Sequence, residues 1–220
     1  MSITELKIYL DLSPKSKSKT LDKYAKKFDL GYFFVDSEDG QCYLFDEYGN
    51  EKDVSVIHEI NDYMILDDIK KIVIPNNVMS IGYAAFRDCN KLTSVMIPNS
   101  VASIEHYAFW GCDKLSSVTI PDSVISISIG NFAFSGCSSL ASMAIPNNVI
   151  SIGYGAFAWC SGFMDMIIGN GVTSIGLDAF HGCNLKSIIF KGKTIDQVKT
   201  MLNYPFGIED ESVIKAYKYF

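Results

Sequence analysis

Recognisable chemistry is what this 220-residue sequence has least of. Nucleophile-elbow, P-loop, His-Glu-x-x-His and Rossmann glycine patterns are all missing, so those routes to hydrolysis, phosphate binding and hydride transfer have no foothold. The three histidines, His58, His106 and His181, are scattered along the chain. Each reads as an exposed polar residue rather than a ligand or a base. Carboxylates crowd the N-terminal segment, but no pair has a spacing that assigns an acid and a base. The chain is therefore expected to be no enzyme and to need neither metal nor cofactor.

Further absences bound its setting. No apolar run approaches the length that spans a bilayer. The opening Met-Ser-Ile-Thr-Glu-Leu-Lys has no apolar h-region of the kind that marks a signal peptide. No Asn-x-Ser/Thr acceptor is present. These features lead to the expectation of a cytoplasmic or virion-associated chain, unless a leader was removed. Lysine and arginine number 19 against 25 aspartates and glutamates, and the net charge of -6 argues against general nucleic-acid binding. At 48% hydrophobic residues, the composition is that of an ordered globular protein.

What the sequence does have is one sentence repeated. Copies begin at Ile74-Pro75, Ile97-Pro98, Ile120-Pro121, Ile145-Pro146 and Ile168-Gly169, at steps of 23, 23, 25 and 23 residues. Each reads roughly I-P-x-x-V-x-S-I-G-x-x-A-F-x-x-C-x-x-L-x-S-V-x. A fixed period of this size marks a solenoid. Leu92, Leu115, Leu140, Phe163 and Leu185 open a L-x-x-L-x-L step. Val95, Val118, Met143, Met166 and Ile188 form its second column, and Ile97, Ile120, Ile145, Ile168 and Ile189 its third. The alternation fits a short strand buried on one face. A second apolar pair, Val78/Ile81 and its copies, precedes an Ala-Phe pair that recurs from Ala85-Phe86 to Ala179-Phe180. The Ala-Phe-x-x-Cys step is too short for a full helix and predicts one helical or 3-10 turn.

Cys89, Cys112, Cys137, Cys160 and Cys183 share one column. Ligands spaced one coil apart make a ladder, not a tetrahedron, and no Cys-x-x-Cys occurs. They read as small buried apolar residues facing the next coil.

The stretch I-P-N-S-V-A-S-I-E-H-Y-A-F-W-G-C-D-K-L-S-S-V, Ile97 to Val118, resembles the BspA-like leucine-rich repeat family of bacterial surface proteins and some protist and phage-encoded proteins. The resemblance covers about half of the chain. It implies a curved, β-lined solenoid whose repeats serve as adhesion or interaction surfaces, with no catalytic residues to carry over. The copies depart from the pattern at Ile127-Ser128, where two extra residues suggest a bulge, at Phe163 and Asp165, and at Gly169 and Asn184.

The expected fold is a β-rich leucine-rich-repeat solenoid with a small α+β N-terminal cap and a C-terminal helix-strand cap. Residues 1–66 form the N-terminal domain or cap. There Ser13–Lys19 is a basic loop, Thr20–Phe28 a short amphipathic helix, and Tyr32–Val35 and Tyr43–Phe45 a hairpin around Asp36–Gly40. Val54–Ile57 and Tyr63–Leu66 are candidate strands. The repeats occupy 67–189, one partial and five full. Residues 190–220 close the stack: Thr194 and Gln197 spell a capping box, Val198, Met201 and Leu202 give the helix its apolar face, and Ser212–Tyr217 is a strand.

Two surfaces remain for function. The strand face presents Ser94/Met96, Ser117/Thr119, Ser142/Ala144, Asp165/Ile167 and Ser187/Ile189, a smooth and neutral stripe. The turns around Ala-Phe present larger groups: Tyr83, His106, Tyr107, Trp110, Phe132, Tyr154 and Trp159. Aromatics clustered on adjacent coils either mark a binding patch or pack over one another. As a binding patch they would take a protein or glycan ligand, with Tyr107, Trp110 and Trp159 as its centre. The expected function is a non-catalytic interaction or adhesion module. The alternative is a structural subunit of a larger assembly, such as a phage virion, whose ligands are neighbouring subunits.

Overall fold

The structure, a computed structural model, describes residues 32–36, 42–46, 59–60, 71–74, 78–121 and 127–218. The basic loop, the amphipathic helix and the candidate strands at 54–57 and 63–66 lie outside the described residues. The hairpin is present: β1 (Tyr32–Asp36) and β2 (Cys42–Asp46) pair antiparallel, with Asp36 opposite Cys42.

The repeats wind into a solenoid with two parallel strand ladders. One carries the first strand of each copy and is broken between β8 and β10: β4 (Lys71–Val73), β6 (Ser94–Met96) and β8 (Ser117–Thr119) pair in one sheet, and β10 (Ser142–Ile145), β12 (Asp165–Ile168) and β14 (Ser187–Lys191) in another. The other stacks β3 (Glu59–Ile60), β5 (Ser80–Ile81), β7 (Ser103–Ile104), β9 (Ile127–Ile129), β11 (Val149–Ile152) and β13 (Ser174–Ile175). Glu59–Ile60 pairs with Ser80–Ile81 in the repeat register, so this ladder begins upstream of residue 67. Alternation does what it should. Met143 and Ile145 are buried on β10 while Ser142 and Ala144 are exposed, and β12 repeats the pattern.

The third side of each coil is a run of i→i−3 turns, such as Trp110 to Tyr107 and Cys112 to Phe109, that keep the single-turn bonding of the expected helical or 3-10 turn without forming a helix. Tyr107, Phe132, Trp159 and Asp178 all have positive φ, between 55° and 62°, in the two columns that flank Ala-Phe. A residue in the left-handed region ends any helical turn and swings its N–H out of the coil. The freed donors reach the next coil. Phe86, Phe109, Phe134 and Phe157 donate to the carbonyls of Ala108, Ala133, Ala156 and Ala179 at 2.7–2.9 Å. The positive-φ residues beside them donate likewise: Tyr107 to Asn131, Gly111 to Ser135, Phe132 to Tyr154 and Trp159 to His181. The turns thus form a third backbone ladder.

Inside, each column stacks on its own copies. Phe86, Phe109, Phe134, Phe157 and Phe180 lie nearly parallel, with centroids 5.1–5.8 Å apart. Beside them each thiol bridges two coils, Cys112, Cys137, Cys160 and Cys183 donating to the carbonyls of Phe86, Phe109, Phe134 and Phe157 at 3.0–3.3 Å. The column is structural, as its spacing predicted.

Several details differ from the sequence reading. Phe190, not Ile189, occupies the buried third strand column, since Ile168 pairs with Phe190 and Ile167 with Ile189. The bulge belongs to β11: Val149 faces Ile127 and Ser151 faces Ser128, leaving Ile150 unpaired and exposed. In the C-terminal cap, α1 (Ile195–Lys199) has the Thr194–Gln197 capping box and buries Val198, but Leu202 is 80% exposed. The closing strand β15 is Ile214–Tyr217, preceded by a 3-10 turn at Glu211–Val213, and it pairs parallel with β14.

Two outcomes follow for unfolding. Phe134→Ala empties the middle of the ring stack and should lower the unfolding free energy by about 3–5 kcal/mol in a urea titration; a loss under about 1 kcal/mol would mean the stack is not continuous. Burial pushes the Cys137 and Cys160 thiols up, and Cys112 is raised first by its hydrogen bond with the Cys89 thiol and then by burial. Folded thiols thus keep protons that the unfolded chain releases above a pKa of about 8.5. Stability is therefore full below that pH and falls as pH rises, by roughly 1 kcal/mol per unit for each such group. Urea midpoints at pH 7.5 and 10 should show the fall, and Cys137→Ala should make it shallower; a flat profile would contradict it.

Candidate functional site

The turn ladder decides which side chains the turns present. Number the coils one to five from Ile74, Ile97, Ile120, Ile145 and Ile168. Four of the seven aromatic-turn residues singled out from the sequence form one closed row. Tyr83 meets Tyr107 edge-on at 5.6 Å, Tyr107 stacks on Phe132 at 5.3 Å and 15°, and Phe132 meets Tyr154 at 4.9 Å and 87°. Tyr83 and Tyr154, at the ends, are 49% and 41% exposed, while Tyr107 and Phe132 between them are half-buried. The inner rings spend their faces on each other, so this row packs the coils together.

His106 is also engaged internally. Its Nδ1 accepts the Asn131 N–H at 2.8 Å, and the Asn131 side-chain oxygen in turn accepts the Tyr154 N–H at 2.9 Å. These side chains satisfy backbone donors that the turn leaves free. His106 is thus a capping residue of the neighbouring coil.

The two tryptophans stand apart from that row. The Arg87 guanidinium of coil one lies 4.5 Å from the Trp110 ring centroid in coil two, and Arg87 also pairs with Asp88 at 3.3 Å. Trp159, in coil four, leans on coil five: its ring would lie 2.5 Å from a Cβ placed on Gly182, and it meets His181 edge-on at 4.9 Å. At 61% exposure Trp159 is the most open of the six Tyr, Trp and Phe residues among the seven. Its column holds Asp88, Gly111, Gly136 and Gly182 in the other coils, all at positive φ. In these two columns between the tryptophans lie Gly111, Ser135, Gly136 and Ala158; Ser135 and Ala158 are buried, and a Cβ on Gly136 would meet nothing nearer than the Gly111 backbone at 3.5 Å. The sequence groups Tyr107 with the two tryptophans as the centre of the patch; the structure puts Tyr107 in the stacked row instead.

A cleft of about 360 Å³ opens at the C-terminal cap, between Phe180, Cys183 and Leu185 of coil five and Ile208, Glu209 and Val213. It lies where a further coil would continue the Phe, Cys and Leu columns, and no sequence feature pointed to it. Among the described residues, no three His, Cys, Asp or Glu side chains are grouped to hold a metal ion, and no helix is long and apolar enough to cross a membrane.

Comparison with known proteins agrees with the repeat architecture. The model for the BspA type leucine rich repeat region matches residues 59–186 and 127–207, in six copies. No curated protein matches the chain. Among solved structures, a leucine rich cell surface protein from Faecalibacterium prausnitzii A2-165 is 28% identical, with a TM-score of 0.62 over 79% of this chain and 43% of its own. The leucine rich repeat protein of T. pallidum is 22% identical, with a TM-score of 0.55 over 86% of this chain and 79% of its own. The pneumococcal vaccine antigen PcpA is 20% identical, with a TM-score of 0.57 over 84% of this chain and 48% of its own. The chain thus spans less than half the length of the first and third of these proteins.

The contact between Trp159 and Gly182 gives a test of this surface. Gly182→Ala puts a methyl into the indole and onto a backbone at φ +71°. It should cost about 1–3 kcal/mol and shift the tryptophan emission, whereas Leu202→Ala at an exposed position of the cap should leave the emission unchanged. Identical spectra for both variants would place the Trp159 ring elsewhere.

Proposed function

Because the chain belongs to the BspA-type leucine-rich repeat family, we propose that it is a non-catalytic interaction or adhesion module that binds a protein or glycan through the tryptophan side of its turn face. One observation carries this reading. Trp159 sits at φ +62° in a column where three other coils use glycine, and it is 61% exposed. A bulky residue in the left-handed region costs roughly 1–2 kcal/mol. Tyr107 and Phe132, at φ 60° and 55°, recover that cost by stacking. Trp159 leaves most of its surface in water, which is the pattern of a residue kept for a partner.

The relatives lend this support. One is described as a cell surface protein and another as a vaccine antigen. Both descriptions suit a surface that meets other molecules, and neither involves catalysis. The reading of the chain as an assembly subunit has no comparable observation behind it.

Glycan and peptide arrays probed with the labelled chain and with Trp159→Ala test the proposal. A saturable signal that falls at least tenfold in the variant, with unchanged circular dichroism, is the expected result. Binding equal in both proteins would remove Trp159 from the site. Silence on both arrays, with a chain that runs as a stoichiometric oligomer, would favour the assembly role.

A further inference from the structure

We propose that Cys183 and Cys160 form a thiol–disulfide exchange site, which small disulfides enter through the cleft at the C-terminal cap and which closes into a reversible bridge between coils four and five. The proposal stands apart from the interaction-module reading.

Contact between the thiols is the first argument. The Cys160 and Cys183 thiols are hydrogen-bonded to each other, as are those of Cys89 and Cys112. Cys137, between the two pairs, makes its contact to the Phe109 carbonyl. Three residues before the Cys160–Cys183 pair, the Phe157 and Phe180 rings stack 5.8 Å apart and 9° from parallel, so the two coils are in register there. Coils stacked in register rise about 4.8 Å each. A disulfide spans Cα separations of roughly 4.4–6.8 Å.

Access is the second. Of the five column cysteines, only Cys183 is not buried. It lines the cleft of about 360 Å³ together with Phe180, Leu185, Ile208 and Val213. Cys89 and Cys112 make the same thiol contact at 1% and 0% exposure, out of reach of any reagent. Contact and access therefore coincide at one pair. Glu209 and Asp210 line the cleft and Glu211 follows them, against Lys186 beside Leu185, so a disulfide carrying ammonium groups suits the opening.

The end of the stack is the third. In coil four the Gly155, Phe157 and Trp159 N–H groups all reach coil five. Of their counterparts Asp178, Phe180 and Gly182, only Phe180 finds a backbone acceptor among the described residues. The last coil is thus held on one side only and can close on coil four to bring the two Cβ atoms within the roughly 3.5–4.5 Å of a bridge.

The exchange runs in two steps. The Cys183 thiolate attacks one sulfur of a disulfide R–S–S–R, forms a mixed disulfide and releases R–S⁻. Cys160 then gives up its proton, attacks the Cys183 sulfur and expels the second R–S⁻. Two protein thiols are oxidised, and the two electrons reduce R–S–S–R to two thiols. Burial holds the Cys160 thiol in its protonated form, which leaves the first attack to Cys183. Bridging takes the thiol donors from the Phe134 and Phe157 carbonyls, a cost that keeps the bridge open to reversal by thiols.

The full chain, reduced and freed of reductant, is incubated with cystamine at pH 8, alkylated and mapped on chymotryptic peptides. The expected product is two hydrogens lighter, with the Cys160 and Cys183 peptides linked and Cys89 and Cys112 alkylated only after denaturation. Cys42 falls on a separate peptide. Excess monothiol should return the starting mass. Cys160→Ala should stop at one cysteamine on Cys183, and Cys183→Ala should slow oxidation of Cys160 at least tenfold, each with the circular dichroism of the parent. A cysteamine adduct that persists on Cys183 of the parent chain would overturn the proposal, as would a Cys89–Cys112 bridge formed equally fast or a Cys183 left unmodified. Mapping the parent chain decides among these whether or not the variants fold.

Discussion

Every coil depends on backbone N–H groups aimed at the next coil from within a single turn. The two strand ladders hold their donors in the ordinary parallel manner, but the Ala-Phe turn has to send successive alternate donors the same way. That requires positive φ at two columns per coil, and the chain meets the requirement with glycine at Gly111, Gly136, Gly155 and Gly182 and with larger residues elsewhere. Where a large residue takes the position, its side chain falls on the next coil. Phe132 then demands Gly155, because a Cβ there would lie 2.6 Å from its ring, and Trp159 demands Gly182. The backbone ladder thus writes a side-chain rule: an aromatic at these positions either meets a glycine in the next coil, as Phe132 and Trp159 do, or stacks on another aromatic, as Tyr107 does on Phe132.

That rule explains which parts of the molecule were legible. The period, the strand columns, the Phe and Cys columns and the Thr194–Gln197 cap all follow from residue type repeated in register, so they could be read directly. The turn conformation could not. Ala-Phe-x-x-Cys has the length of one helical turn, and nothing in Tyr107 or Trp159 announces positive φ, since bulky residues avoid it. The strand end at Phe190 was misread for a similar reason: coil five is one residue short at Asn184, and only pairing with Ile168 shows that the step resumes in phase. The bulge was placed in the strand with the extra sequence, whereas the unpaired residue is Ile150 in the strand opposite, because β9 spends one residue fewer between its two buried isoleucines.

The candidate site was legible as a list and not as an arrangement. All seven residues lie on the turns, yet their roles divide. Tyr107 and Phe132 are consumed by stacking, His106 by a backbone donor, and Tyr83 and Tyr154 close the row at its ends. Sequence columns alone put Trp110 beside Arg87 and Trp159 one position later, next to glycines. Only the structure shows that Trp159 leans onto Gly182 of coil five while Arg87 of coil one lies against Trp110.

The ladder is also directional, and this bears on how the stack ends. Turn donors point from each coil to its successor, so coil five presents donors with no sixth coil to take them. The cap answers at one point: Phe180 donates to the Phe206 carbonyl at 3.0 Å, while the Asn203 side chain covers the Ile175 carbonyl at 2.9 Å on the neighbouring ladder. Phe206 packs on Phe190 rather than on Phe180, so the Phe column stops and the cleft opens beside it. Acidic Glu209 and Asp210 both line that cleft, at the end toward which the donors of the turn ladder point, where negative charge is favoured. A cap that continued the repeat would have extended the columns and left raw core again. This one borrows a single backbone acceptor, changes direction through α1 and β15, and so terminates a structure whose every internal contact calls for another copy.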